Sequence, residues 1–244
     1  MIRLRNGAAI ILNELKMTAK LYIVSTPIGN LGDITLRAIE TLQSVDFIVC
    51  EDTRVTSILL NHLNIKKELY SLNAASEKFK AQKVVDRIKD GESCALVSDA
   101  GTPGISDPGT RLINLTIKNG IDVVTIPGVT AVVSALSVSG FPTDSFVFEG
   151  FLPNKKGRQK NLKQLVDEEK TIVLYESTYR IVKLVDELAE IMPDRQLVIC
   201  RELTKKFEEI IRGTVQTVKS QLSKHTLKGE FVVVIAPKYW REIA

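Results

Sequence analysis

Cys94-Ala95-Leu96-Val97-Ser98-Asp99-Ala100-Gly101-Thr102-Pro103-Gly104-Ile105-Ser106-Asp107-Pro108-Gly109 is the stretch whose reading decides the fold. Four apolar residues, enough for a buried strand, run straight into a loop holding three glycines and two prolines. Glycine opens positive φ and close backbone approach, while proline fixes φ and removes an N–H, so neither regular helix nor regular strand continues through it. A strand that empties into such a loop marks the carboxyl edge of an α/β sheet, where ligands bind.

Working outward, the same alternation recurs on both sides. Leu21–Val24 ends in Ser25-Thr26-Pro27-Ile28-Gly29-Asn30, Phe47–Cys50 ends in Glu51-Asp52-Thr53-Arg54, and Asp122–Ile126 ends in Pro127-Gly128, with a weaker strand predicted over Leu69–Leu72. Between them helical spacing predicts helices over Thr35–Leu42, Val55–Leu63, Ser76–Lys89 and from Asp107 or Pro108 to Lys118. Strands alternating with helices at this interval predict a doubly wound parallel sheet, whose strand ends and loops share one rim. Neither G-x-G-x-x-G nor G-x-x-x-x-G-K-[ST] is present, which argues against a dinucleotide fold of the common kind and against a nucleoside triphosphatase.

Pro127-Gly128 breaks the alternation, and the expected organisation is an extension over 1–19, an α/β domain over 20–127 and a second α/β domain over 128–244. The small, apolar helix Thr130–Ser139 is expected to pack against the first domain. The second domain reads as a mixed sheet, with strands over Phe146–Pro153, Thr171–Tyr175, Gln196–Cys200 and Glu230–Ala236 and a short antiparallel one over Glu208–Arg212. Helices are predicted over Tyr179–Ile191 and Thr214–Ser223. Met17 lies just ahead of the first strand and offers a second sensible start. The apolar run Ala8–Leu12 is too short for a signal peptide.

Composition is that of an ordinary globular protein, with 44% hydrophobic and 25% charged residues. The 33 basic and 29 acidic residues divide unevenly: 15 and 14 through Pro127, then 18 and 15 after it, so most of the excess positive charge lies in the second part. The cysteines Cys50, Cys94 and Cys200 each border an apolar run and read as buried thiols in a reducing, cytoplasmic setting. With no C-x-x-C and only His62 and His225, no zinc cluster is expected. No run of about 18 apolar residues occurs, so no membrane span is expected either.

Five segments in this order carry a resemblance: T-P-I-G-N-L-G-D-I-T (26–35), E-D-T-R-V-T (51–56), the loop 97–109, F-E-G-F-L-P (148–153) and R-E-L-T-K-K-F-E-E (201–209). Together they resemble the bacterial 16S ribosomal RNA cytidine 2′-O-methyltransferase family, within the tetrapyrrole-methylase (class III) group. The resemblance runs from about Lys20 to Pro237. It implies a homodimer of two α/β domains that binds S-adenosyl-L-methionine in a cleft and methylates a ribose 2′-OH of a cytidine in the decoding region of 16S rRNA in the 30S subunit. It further implies Pro27, Gly29, Asp99, Ala100, Gly101 and Thr102 on one side of the cofactor, and Thr130, Ala131, Phe148, Gly150 and Phe151 on the other. Three places depart from the family pattern. Val129-Thr130 stands for Pro-Ser, Thr178-Tyr179 for Pro-His, and Asn73-Ala74-Ala75-Ser76-Glu77 for a His- and Asn-containing stretch.

A sulfonium methyl is already an activated electrophile, so the protein has to place the hydroxyl in line and manage its proton. Glu51, Asp52 and Asp99 are the candidate carboxylates; spacing does not choose among them, and each has an alternative role as a helix cap or a partner of Arg54. The candidate RNA footprint is the basic segment with Lys155, Lys156, Arg158 and Lys160, extended by Arg54, Arg180 and Arg201. Each of those last three arginines is alternatively an ion-pair partner, of Glu51, Glu176 or Glu202. Competing functions are a small-molecule, tetrapyrrole-type methyltransferase and a non-catalytic RNA-binding assembly factor.

Overall fold

The structure, a computed structural model, describes residues 19–222 and 226–241. The expectations placed on residues 1–16, Met17, Ser223 and His225 lie outside them. The described residues form two compact units, one comprising those through Val24 and Thr35–Pro127, the other Ser25–Ile34 and those from Gly128 onward.

In the first unit five strands alternate with helices: β1 (Leu21–Val24), α1 (Leu36–Ser44), β2 (Phe47–Cys50), α2 (Thr53–His62), β3 (Glu68–Ser71), α3 (Glu77–Lys89), β4 (Cys94–Leu96), α4 (Thr110–Lys118) and β5 (Val123–Ile126). All pairings are parallel, in the order β3-β2-β4-β1-β5. The predicted doubly wound sheet is therefore present. Strand periodicity sorts the side chains: Leu21, Ile23, Phe47, Val49, Cys94 and Leu96 share a face with Val84, Val85 and Ile88 of α3 and Leu112 of α4. The largest boundary difference is at α4, which starts at Thr110 and not at Asp107 or Pro108. Gly109 precedes it at φ 131°, a conformation outside any helix.

The second unit holds α5 (Ala131–Ser139), β6 (Phe146–Phe151), α6 (Arg158–Leu165), β7 (Thr171–Ser177), α7 (Ile181–Ile191), β8 (Gln196–Arg201), β9 (Glu209–Thr214), α8 (Val215–Leu222) and β10 (Glu230–Ile235). Its sheet has the order β6-β7-β10-β8-β9 and is mixed: β6 and β7 are parallel, and the remaining pairs antiparallel. Alternation splits it into two faces. Ile172, Leu174, Leu197, Ile199, Phe231, Val233 and Ile235 form one core with Leu162, Leu184, Leu188 and Val218 from the helices. Val173, Val198, Cys200, Val232 and Val234 form the other with Ile28 and with Val132, Ala135 and Leu136 of α5. This corrects the expectation for α5, whose small apolar face is buried on the second sheet. Its residue types fit either surface, and only the register of β7, β8 and β10 identifies the partner.

Candidate functional site

In the first unit the carboxyl ends of the parallel strands share one edge, and the loops after β2 and β4 are tied together there. Val97 N–H donates to the Val49 carbonyl at 2.9 Å, and Asp52 N–H donates to Asp99 Oδ1 at 3.1 Å. The loop 97–109 takes its path from left-handed backbone at Gly101 (φ 84°), Gly104 (81°) and Ser106 (64°), then from Gly109. Its far end is anchored by Glu77, whose Oε1 accepts from the N–H groups of Gly109, Arg111 and Leu112 at 2.9–3.1 Å. A carboxylate there satisfies otherwise orphaned donors of α4 and matches its dipole. Asp99 and Ala100 are exposed, Thr102 is half-buried and Gly101 is buried.

The three candidate carboxylates separate clearly. Asp52 is the N-cap of α2: its Oδ1 accepts from Arg54 N–H at 2.8 Å, and the Arg54 guanidinium lies 2.5 Å from its Oδ2. The Arg54 side chain holds this carboxyl down at about 2. Arg54 thus pairs with Asp52 and not with Glu51, while its own side chain stays 88% exposed. Glu51 and Asp99 go the other way. Partial burial, followed by the charges of Asp99, Asp107 and Asp52, raises the Glu51 carboxyl. Burial raises Asp99 against the opposing hydrogen bond from Asp52 N–H. Asp107 belongs to the same group; burial raises it despite a hydrogen bond from Ser98. It lies in the loop 97–109, and nothing in the local spacing marks it as close enough to feel the charge of Asp99.

A carboxyl raised in the folded state favours folding below its ordinary value, and that contribution is lost as pH rises through the folded value. Replacing Glu51 with Gln is therefore expected to raise the thermal midpoint at pH 7–8, the gain shrinking as pH falls below the ordinary glutamate value of about 4.3 and the carboxyl becomes neutral in both states. Equal midpoints for the two proteins at pH 7–8 would show that neither burial nor the neighbouring carboxylates disfavour the charged Glu51.

In the second unit, Gly29 has a packing reason for lacking a side chain. A Cβ there would lie 2.3 Å from Lys205 Cγ, 3.0 Å from Thr204 Oγ1 and 3.1 Å from the Leu203 carbonyl. The 26–35 and 201–209 motifs therefore meet at this residue. Pro27 beside it is buried. Gly128 is equally constrained, since a Cβ would meet Ser25 Cβ at 2.8 Å. Thr130 precedes α5 in extended conformation, and its side chain makes no capping hydrogen bond to that helix; Ala131 follows, half-buried.

Strand β6 contains a feature that alternation alone does not show. Phe148 pairs with Val173 but Gly150 pairs with Leu174, leaving Glu149 as an extra residue, and Gly150 has φ 60°. The bulge puts Phe148 and Phe151, three residues apart, on one face beside Tyr175, with edge-to-face ring contacts at 5.0 and 5.5 Å. Three of the residues named for the cofactor, Phe148, Gly150 and Phe151, depend on that bulge.

The basic footprint is only partly exposed. Lys155, Lys156 and Lys160 are exposed, as expected of phosphate contacts. Arg158 is not: its side chain is 3% exposed, with NH2 2.7 Å from Glu187 Oε2 and NH1 3.7 Å from Glu176 Oε2. The expectation that Arg158 meets RNA is corrected on this ground, because its charge is already matched inside the unit. Arg180 pairs with Glu176 at 2.7 Å, as one reading of the sequence had it. Arg201 pairs with Glu209 at 3.1 Å, not with Glu202, and donates to the Lys228 carbonyl at 2.8 Å. Glu202 is taken by Lys205.

The residues that depart from the family pattern have structural partners. The Thr178 hydroxyl bonds the Gly229 carbonyl and N–H at 2.7 and 2.8 Å, Asn73 Oδ1 accepts from Ser76 N–H at 3.0 Å, and Glu77 anchors α4. Tyr179 has no such task and is 95% exposed.

With this geometry in view, likeness to known proteins becomes informative. A family profile described as tetrapyrrole (corrin/porphyrin) methylases matches residues 20–219. The ribosomal RNA small subunit methyltransferase I of Thermotoga maritima is 46% identical over 219 residues, covering 90% of this chain and 99% of that protein. This chain belongs to the ribosomal RNA small subunit methyltransferase I family of the tetrapyrrole methylases. Proteins of the same name from Synechocystis and Haemophilus influenzae are 48% and 43% identical, with 88% and 91% of this chain and 78% and 80% of theirs aligned. Solved structures share the fold. A diphthine synthase gives a TM-score of 0.69 at 15% identity, covering 89% of this chain and 90% of its own. A cobalt precorrin-4 methyltransferase gives 0.68 at 21%, covering 91% and 96%. A uroporphyrin-III C-methyltransferase from Thermus thermophilus, solved with S-adenosyl homocysteine, gives 0.63 at 16%, covering 89% and 97%. Among the described residues of this member of the family, no helix is long and apolar enough to cross a membrane.

Proposed function

We propose that this chain transfers the methyl group of S-adenosyl-L-methionine to the ribose 2′-hydroxyl of a cytidine in the decoding region of 16S rRNA, with the 30S subunit as substrate and a cytoplasmic homodimer as the working form. The observation that carries this reading is the extensive identity to relatives named ribosomal RNA small subunit methyltransferase I, aligned over about nine-tenths of the chain.

The chemistry of the loops suits the cofactor. Burial raises Glu51, Asp99 and Asp107, with the charges of Asp99 and Asp107 adding to it at Glu51 and that of Asp99 at Asp107, and an approaching cation favours their ionised forms. Asp99, Ala100, Gly101 and Thr102 offer backbone groups and a carboxylate, while Pro27, Gly29, Thr130, Ala131, Phe148, Gly150 and Phe151 offer tight backbone, a hydroxyl and ring surface. These are the residues assigned to hold it. S-adenosyl-L-methionine supplies the electrophilic methyl. What remains for the chain is to orient the ribose hydroxyl and accept its proton, for which Glu51 and Asp99 are better suited than Asp52, already committed to Arg54. Exposed Lys155, Lys156, Lys160 and Arg54 supply phosphate contacts.

The test is methyl incorporation. Small-subunit particles from cells lacking this protein should accept labelled methyl from S-adenosyl-L-methionine, and nuclease digestion should release it as 2′-O-methylcytidine. Transfer to a porphyrinoid instead would establish the small-molecule alternative. Cofactor binding with no acceptor at all would establish the assembly-factor one. Light scattering should give twice the chain mass of 27.1 kDa.

A further inference from the structure

The turn between β7 and α7 presents Tyr179 almost wholly to solvent, and the ring does not stand alone. It lines an open groove of about 490 Å³ with Phe151, Leu152, Pro153, Asn154 and Arg180, all within the second unit. Phe151 is itself 52% exposed. Arg180 is locked in place: its Nε lies 2.7 Å from Glu176 Oε1, its NH1 donates to the Leu152 carbonyl at 3.0 Å and to Asn154 Oδ1, and its guanidinium carbon sits 5.8 Å from the Phe151 ring centroid. Glu176 is fully buried and shared with Arg158, so this arginine is positioned by the interior of the unit. Lys155 and Lys156 follow Asn154 directly in the chain and are exposed.

Exposed rings beside a fixed arginine and exposed lysines are what single-stranded nucleic acid requires, because a base stacks on a ring face while its phosphate meets the positive charge. An acidic peptide would use the cations but leave the rings unused. The volume is in the range of sites for small organic guests.

We propose that this groove seats an unstacked nucleotide of the RNA substrate, its base stacked on Tyr179 against the wall formed by Phe151 and its phosphate directed to Arg180, Lys155 and Lys156. The inference rests on the reading of RNA as substrate given above. It assigns a role to a residue that otherwise figures only as a departure from the family pattern.

The experiment compares the full-length protein with its Tyr179→Ala and Tyr179→Phe variants. It measures steady-state methylation of small-subunit particles and, separately, binding of a fluorescent single-stranded oligoribonucleotide. Removing the ring should raise both the KM for RNA and the oligonucleotide Kd by about tenfold or more. The KM for S-adenosyl-L-methionine and the thermal midpoint should stay at wild-type values, and Tyr179→Phe should retain RNA affinity. An unchanged KM and Kd in Tyr179→Ala overturns the proposal. So does a defect confined to assembled particles, which would assign the ring to a ribosomal protein, or a halved mass in solution, which would assign it to a second copy of the chain. If the wild type binds the oligonucleotide through Tyr179 but methylates no rRNA, the substrate reading fails and the groove stands.

Discussion

Gly109→Ala is expected to lower the unfolding free energy by about 2–5 kcal/mol, combining backbone strain with overpacking. Gly109 has φ 131° and ψ −25°, a region closed to residues with a Cβ, and that Cβ would also lie 2.8 Å from Leu96 Cδ2. Leu96 is buried at the end of β4, so it has little room to withdraw. Gly91→Ala serves as the control. Its φ is 102° but its Cβ would meet nothing within 4 Å, so it reports strain without a clash. Urea unfolding of both variants separates the two contributions; a loss no larger at 109 than at 91 would mean that Leu96 yields freely. The backbone shift that relieves this strain should also draw the residue 109 N–H away from Glu77, so the alanine variant should loosen the loop 97–109 and weaken S-adenosyl-L-methionine binding even where the protein remains folded.

Arg158→Met is expected to cost about 3–5 kcal/mol, because it leaves the buried Glu187 carboxylate without its cation and Glu176 with Arg180 alone. Glu187 and Glu176 both face Arg158, and the Glu176 side chain is fully buried. Glu187→Gln should cost less, since the amide oxygen still accepts from the guanidinium. The double variant Arg158→Met/Glu187→Leu should recover much of the loss, since an apolar pair in place of a buried ion pair is often near neutral. Thermal or urea unfolding reads all three. Had Arg158 been a phosphate contact, Arg158→Met would keep its stability and lose only RNA affinity, so the two measurements together decide the matter.

Much of this was legible from residue order. Apolar runs that end at Gly, Pro or Asp disclosed the strands, and their regular alternation with amphipathic spacing disclosed the parallel sheet. What escaped depends on partners distant in the chain. Lys155 to Lys163 reads as one basic patch, and nothing local says that Arg158 turns inward to Glu187, 29 positions away. The bulge at Glu149 is invisible to a period-two count, yet it sets which rings share a face. Glu77 stands out in the sequence only as a departure from the family pattern, because the helix it anchors begins more than 30 residues later. Thr130–Ser139 is apolar on so many positions that its pattern names no particular neighbour. Carboxylates at 51, 52, 99 and 107 could be enumerated, but only the position of Arg54 and the burial of the others distinguish a committed group from a raised one.

The second unit is discontinuous in the chain, and that bears on synthesis. Ser25–Ile34 belongs with residues from Gly128 onward, and Ile28 is packed in a cluster with Val232 and Val234. Val234 is translated about 200 residues after Ile28, which at about 5–20 residues per second is a wait on the order of 10–40 s. The T-P-I-G-N turn thus emerges among the first segments and closes among the last, while Thr35–Pro127 can gather behind it. A ribosome stalled before Leu203 would hold a nascent chain whose Gly29 turn lacks its neighbours Leu203, Thr204 and Lys205, so protease sensitivity at that turn should persist until those residues have emerged.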